Sequence, residues 1–97
     1  MINSRQRAQL RGLANRIEAI FQVGKGGTST EMCAQIDNAL EARELIKISV
    51  LESCGTPVRE VAGEVASATK AEVVQVIGRR FVLYKPSRDH KTIVLVK

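Results

Sequence analysis

Leu10, Leu13, Ala14 and Ile17 recur at i, i+3, i+4 and i+7, which is one face of a helix. The spacing predicts a helix from about Ser4 to Arg16. Asn3 or Ser4 can cap it by accepting a bond from the unpaired N–H groups of its first turn. Arg5 and Arg16 fall opposite the apolar stripe and Arg11 on its flank, while Gly12 weakens the middle turn. Ala19-Ile20-Phe21-Gln22-Val23 is short, apolar and ended by glycine, as a strand is. After Gly24-Lys25-Gly26-Gly27, the run Thr28-Ser29-Thr30-Glu31 has the T-x-x-E capping-box form that opens a helix. Met32, Ile36, Ala39 and Leu40 give that second helix a core stripe, ending near Arg43 or Glu44.

From Ile46 to Val50 apolar residues alternate with Lys47 and Ser49, the pattern of a half-buried strand. Thr56 can cap a third helix, with Pro57 at its first position. Val58, Val61, Ala62 and Val65 carry that helix to about Thr69. Glu72–Ile77 is β-branched, Gly78-Arg79-Arg80 turns it, and Phe81–Lys85 returns as a hairpin partner stopped by Pro86. Thr92–Val96 suits either a short fifth strand or an arm docked on a neighbour. The order is α-β-α-β-α-β-β, an α/β (α+β) fold with a mixed four-stranded sheet packed with three helices. The strand–helix–strand units favour parallel neighbours, and the terminal hairpin must be antiparallel.

The chain has 97 residues, enough for one domain over residues 1–97 and too few for two. Apolar residues make up 44% and charged ones 26%, as in ordinary soluble folded domains. No apolar run is long enough to span a membrane and no secretory signal opens the chain, so a cytoplasmic protein is expected. Cys33 and Cys54 lack the CxxC spacing and stand far from the single histidine, His90, which argues against zinc and for reduced structural thiols.

Charge changes the picture more. The net charge is +5, but it is unevenly spread. Arg5, Arg7, Arg11, Arg16 and Lys25 face only Glu18 in residues 1–27. Arg79, Arg80, Lys85, Arg88, Lys91 and Lys97 face only Asp89 in residues 73–97. The middle is acidic. Basic ends around an acidic middle give one cationic side, the footprint of a polyanion binder.

Gly24-Lys25-Gly26-Gly27 lies between a strand and a capped helix. Glycine lets a backbone approach a ligand, the helix start offers free N–H groups, and Lys25 adds a charge: together, a phosphate cradle. The Walker loop and the dinucleotide G-x-G-x-x-G are both absent. What remains is G-x-x-G, which KH domains use to clamp a nucleotide backbone, although there it joins two helices. A plain strand–helix turn is the alternative. Arg79 and Arg80 on a tight turn cannot both be buried cheaply and are candidate RNA contacts. So are Arg5, Arg11 and Arg16 on the first helix, and Lys85 and Arg88 near the end. Phe21, Phe81 and Tyr84 are too few for a stacking platform, and Tyr84 is expected to pack. His90 has no oriented partner in the sequence, so no acid–base or nucleophilic role is assigned.

Several ordered motifs resemble the CRM domain (chloroplast RNA splicing and ribosome maturation), in its single-domain, YhbY-like bacterial form. They are Arg5-Gln6-Arg7 through Leu13-Ala14, Gln22–Gly27, Ile36–Leu40 with Glu44–Lys47, Gln75–Arg79, and Val82–Ser87. The resemblance covers about residues 3–88. It implies an αβαβαββ fold like the C-terminal domain of a bacterial translation initiation factor. It also implies RNA binding, with the family's G-x-x-G on Gly24 and Gly27, and association with precursors of the large ribosomal subunit. Ala19 stands where relatives often have proline, and the tail from Asp89 lies outside the resemblance. The expected function is therefore a non-enzymatic RNA-binding ribosome assembly factor. Its partners would be large-subunit ribosomal RNA precursor and assembly particles, with no metal, cofactor, membrane or small-molecule substrate. A generic RNA chaperone, a ribonucleoprotein component and a protein–protein adaptor stay open as alternatives.

Overall fold

The computed structural model describes residues 2–97. Its elements run α1 (Ser4–Ala14), β1 (Ala19–Val23), α2 (Thr30–Arg43), β2 (Leu45–Val50), α3 (Val58–Thr69), β3 (Glu72–Ile77) and β4 (Arg80–Tyr84), with a 3-10 turn at Glu52–Cys54. The four strands form one mixed sheet in the order β1-β2-β4-β3. β1 and β2 are parallel, as their helical crossover requires. β4 is antiparallel to both β2 and β3 and lies between them, so the second crossover skips a strand.

Each face of the sheet has its own core. On one face Val23, Ile46, Ile48, Val50, Phe81 and Leu83 meet Ile36 and Leu40 of α2 and Val61, Ala62 and Val65 of α3. On the other, Leu10 and Ala14 of α1 cover Leu45, Val74, Val82 and Tyr84. The α1 stripe is shorter than its periodicity predicts: the helix stops at Ala14, and Leu13 is exposed. The cap is Asn3, in a full capping box with Gln6. α1 is also pinned by Arg7, whose half-buried guanidinium donates to the carbonyls of Val73 and Val74. These carbonyls lie where the β3 register slips between Val73 and Gln75, so Arg7 satisfies acceptors near that irregularity.

Thr92–Val96 is not a fifth strand. It is an arm laid along α1: Gln9 donates to Val94 O at 2.8 Å and accepts from Val96 N at 2.9 Å, and Gln6 donates to Val96 O at 2.8 Å. Side-chain amides of α1 replace the ladder, while Ile93 and Leu95 pack on the α1-side core. Two other expectations shift by one residue. Pro57 is the cap of α3 rather than its first residue, and Arg80 opens β4 rather than closing the turn. Cys33 and Cys54 are both free.

Candidate nucleic-acid interface

β1 and β2 end side by side, with Val23 opposite Val50. The Gly24–Gly27 loop leaves from this end. Gly27 N donates to Gly24 O at 3.0 Å, making Lys25 and Gly26 the centre of a β-turn. Gly26 has φ 94° at the position where a type II turn needs positive φ, and Gly27 follows at 72°. No atom stands within 4 Å of where a Cβ would sit on either, so the backbone conformation, not crowding, calls for glycine. Lys25 is exposed at the tip, and among the described residues its side chain has no hydrogen-bond or ionic partner. Beyond the loop, α2 starts one turn position later than the T-x-x-E pattern predicts. Ser29, not Thr28, is the cap and accepts from Met32 N at 3.1 Å. That cap and Glu31 in the first turn take up part of the helix's pull on an anion, leaving Lys25 as the main attraction.

Arg79 belongs to the same end of the molecule. Gly78, with φ 58°, and Arg79 form the two-residue β3–β4 connection, the glycine-first pattern of a type II′ turn. Arg79 O accepts from Val50 N at 2.7 Å. Its guanidinium donates to Val50 O and Leu51 O, each at 2.8 Å. Leu51 in turn stands beside Gly24: a Cβ there would lie 3.5 Å from the Leu51 side chain. The hairpin turn and the glycine loop are thus tied together through the end of β2. Arg80 begins β4 opposite Ser49 and is exposed on the α1 side of the sheet, also without a partner among the described residues.

The other basic candidates are not brought to this end. Lys85 follows the opposite end of β4 and pairs with Asp37 at 2.7 Å. Arg88 lies 3.9 Å from Glu41, whose carboxylate also accepts from the Ser87 hydroxyl and from the Arg88 and Asp89 N–H groups. These bonds, the Ser87 hydroxyl foremost, hold the Glu41 carboxyl at about 2. Arg5 and Arg11 are exposed on α1. Arg16, beyond the helix, borders an apolar groove with Leu13, Ile17 and Ile20. Among the described residues no group of three or more His, Cys, Asp or Glu is placed to hold a metal ion, and no helix is long and apolar enough to cross a membrane.

The chain matches the family described as the CRS1 / YhbY (CRM) domain over residues 2–85. It belongs to the CRM family. Among its relatives is the "Probable RNA-binding protein YqeI" of Bacillus subtilis, 45% identical over 98% of this chain and 99% of that one. A Haemophilus influenzae protein named "RNA-binding protein" is 33% identical over 93% of this chain and 91% of its own length. The solution structure of a hypothetical protein from Staphylococcus aureus, described as a candidate RNA-binding protein, superposes with a TM-score of 0.79 at 42% identity. It covers 99% of this chain and all of that one.

Sequence reasoning missed residues on the α1 side of this CRM domain's sheet. Lys47 and Ser49 read as the solvent face of a strand, yet they stand on a central strand whose face carries a helix. They remain accessible because α1 covers only the other end of the sheet, over Leu45, Val82 and Tyr84. The signal was in the pattern: Lys47 and Ser49 alternate with buried Ile46, Ile48 and Val50, so β2 past Leu45 presents polar side chains on one face. Gln22 of β1 lies directly beside Ser49 and was read only as part of an apolar strand.

Proposed function

We propose that this CRM domain binds structured RNA with the Gly24–Gly27 loop, and that Lys25, Arg79 and Arg80 supply the charge around it. Arg5, Arg11 and Arg16 extend the basic surface along α1. Lys85 and Arg88, already paired with carboxylates, contribute less than their charge suggests. The observation that carries the reading is the convergence of a glycine turn, a partnerless lysine and the hairpin arginines at one end of the sheet. The names of the relatives independently support RNA binding. The molecule acts by binding and not by catalysis, in the cytoplasm, and its RNA is a precursor of the large ribosomal subunit.

Lys25→Glu tests the loop. Losing one charge-assisted contact costs on the order of 1.5–3 kcal/mol, and repulsion adds to it. The salt slope should become shallower by about 0.7–0.9 for one lost phosphate contact, and the loss should be similar across RNA sequences. Unchanged affinity in a folded Lys25→Glu protein would refute the loop's role. Co-sedimentation with large-subunit precursors, and not with mature ribosomes, checks the assembly role. Even binding to unrelated RNAs would favour a general RNA chaperone instead.

A further inference from the structure

The end of the sheet that α1 leaves uncovered carries a row of side chains across all four strands. Gln22 of β1 is registered with Ser49 of β2, Ser49 with Arg80 of β4, and Arg80 with Ile77 of β3. Registered neighbours share a face, and at about 4.8 Å per strand the row spans roughly 14 Å. Lys47 stands two residues before Ser49, on the same face. Two adjoining depressions of about 410 Å³ each share Gln22, Ser49 and Arg80. One reaches Lys47 and the other Arg79 and Leu51, next to the glycine loop. Among the described residues, none of the side chains of Gln22, Lys47, Ser49 and Arg80 has a hydrogen-bond or ionic partner.

The chemistry of the row is specific. Its centre is an amide and a hydroxyl, which are uncharged and can both donate and accept. Its flanks are cationic, at Lys47 and Arg80. Each depression also holds one carboxylate, Glu52 or Glu18, which repels phosphate in its neighbourhood. No aromatic ring lies on it: Phe81 is buried in the opposite core, Phe21 packs against that same core, and Tyr84 is under α1. Unstacked bases therefore find no aromatic ring to stack on, and only the single Arg80 guanidinium plane. A shallow polar surface of this kind matches the wide, shallow minor groove of an A-form helix, which displays ribose 2′-hydroxyls between two phosphate backbones.

We infer that the Gln22–Ser49–Arg80–Ile77 row is a ribose-reading surface for double-helical RNA. Gln22 and Ser49 accept hydrogen bonds from 2′-hydroxyls, and Lys47 and Arg80 hold the adjoining phosphates. Ile77, 58% exposed, lies against the sugar faces. This rests on the proposal that the domain binds RNA, and adds a second subsite with a different selectivity: the loop senses phosphate, while the row distinguishes RNA from a backbone lacking the 2′-hydroxyl.

The experiment compares the full chain's affinity for an RNA hairpin and for the same hairpin with 2′-fluoro riboses, which keeps the A-form helix but cannot donate. The wild-type protein should bind the fluoro hairpin about five- to fiftyfold more weakly, the loss of two neutral hydrogen bonds. Gln22→Ala with Ser49→Ala should weaken RNA by a similar factor and leave the fluoro hairpin nearly unchanged. Lys25→Glu should weaken both hairpins equally. Equal affinity of the wild-type protein for the two hairpins would overturn the inference, and needs no variant to fold. So would an equal loss on both hairpins in the double variant. A null Lys25→Glu result beside a positive row result would remove the loop from the interface and leave the row standing.

Discussion

Glu44 gives the sharpest test of how the C-terminal arm is held. It sits just past α2 with φ 65° and is 1% exposed. Its carboxylate accepts from Ser87 N at 2.8 Å, Thr92 N at 2.7 Å and Ile93 N at 2.9 Å, and from the Thr92 hydroxyl at 3.3 Å. Glu44→Ala removes the acceptor for three backbone donors. Leaving each unpaired while buried costs about 1–3 kcal/mol. The sum exceeds what the arm gains by docking: Ile93 and Leu95 are only half-buried, worth about 1–1.5 kcal/mol each, and the Gln6 and Gln9 bonds add about 0.5–1.5 kcal/mol each, less the entropy of ordering the chain. The arm should therefore detach and rehydrate, which limits the loss to about 2–3 kcal/mol, or a fall in Tm of roughly 10–20 °C for a domain of this size.

Glu44→Gly separates the side chain from the backbone. It loses the same carboxylate but relieves the left-handed strain, so it should be about 0.5–1 kcal/mol more stable than Glu44→Ala. Urea unfolding measures both stabilities, and hydrogen exchange reads the Thr92 and Ile93 amides. The reasoning fails if Glu44→Ala stays within about 0.5 kcal/mol of the wild type with those amides still protected.

Acid should act on the same joint. Burial pushes the Glu44 carboxyl up, but the bonds from Ile93, Thr92 and Ser87 outweigh it and hold it below the usual range, as Glu41 is held at about 2. Both are depressed in the folded state, so their contribution is complete above the ordinary value of 4.5 and is lost as pH falls, for Glu41 through about 2. Unfolding free energy should decline across that window, and a protein with Glu41→Gln and Glu44→Gln should lose most of the slope. Gly26→Ala should cost about 1 kcal/mol, because Ala must adopt the positive φ while meeting no steric obstacle; a loss beyond about 3 kcal/mol in thermal unfolding would mean that the loop is packed. Lys85→Ala should change stability by at most about 1 kcal/mol, since its ion pair with Asp37 is partly exposed. It should change RNA affinity less than twofold in a filter-binding assay, unlike Lys25→Glu.

The helices and β2 were legible from their apolar periods, and the other strands from short apolar or β-branched runs bounded by turn residues. Glu72–Ile77 emerges with the bounds read from its β-branched run, and α3 ends at Thr69 as its apolar stripe predicts, starting one residue later than read. The errors lie at ends, where a single side chain decides. Thr28 and Ser29 both offer a hydroxyl, and only the backbone conformation selects Ser29 as the cap. The arm was ambiguous for a deeper reason. Thr92–Val96 has strand composition, but whether it joins a sheet depends on a free edge being within reach. Gln6 and Gln9 of α1 supply the hydrogen bonds that an edge would have supplied.

Charge was the least legible property, because counting residues does not reveal which charges are free. Lys25 and Lys85 look alike in the sequence, each beside strand residues in a basic segment. In the fold Lys25 stands alone on a turn, while Lys85 meets Asp37 from the facing helix. Arg7 and Arg79 show a third outcome: their guanidiniums hold backbone carbonyls of β3 and of the β2 end. The basic termini thus divide into charges that build the fold, charges neutralised by α2, and a smaller set left open around the glycine loop and the uncovered row. A polyanion responds to the last set and to Arg79, which is exposed although its guanidinium holds backbone carbonyls. This is why the strongest discriminating substitutions lie at Lys25, Gln22 and Ser49, and not at the residues that dominate the charge count.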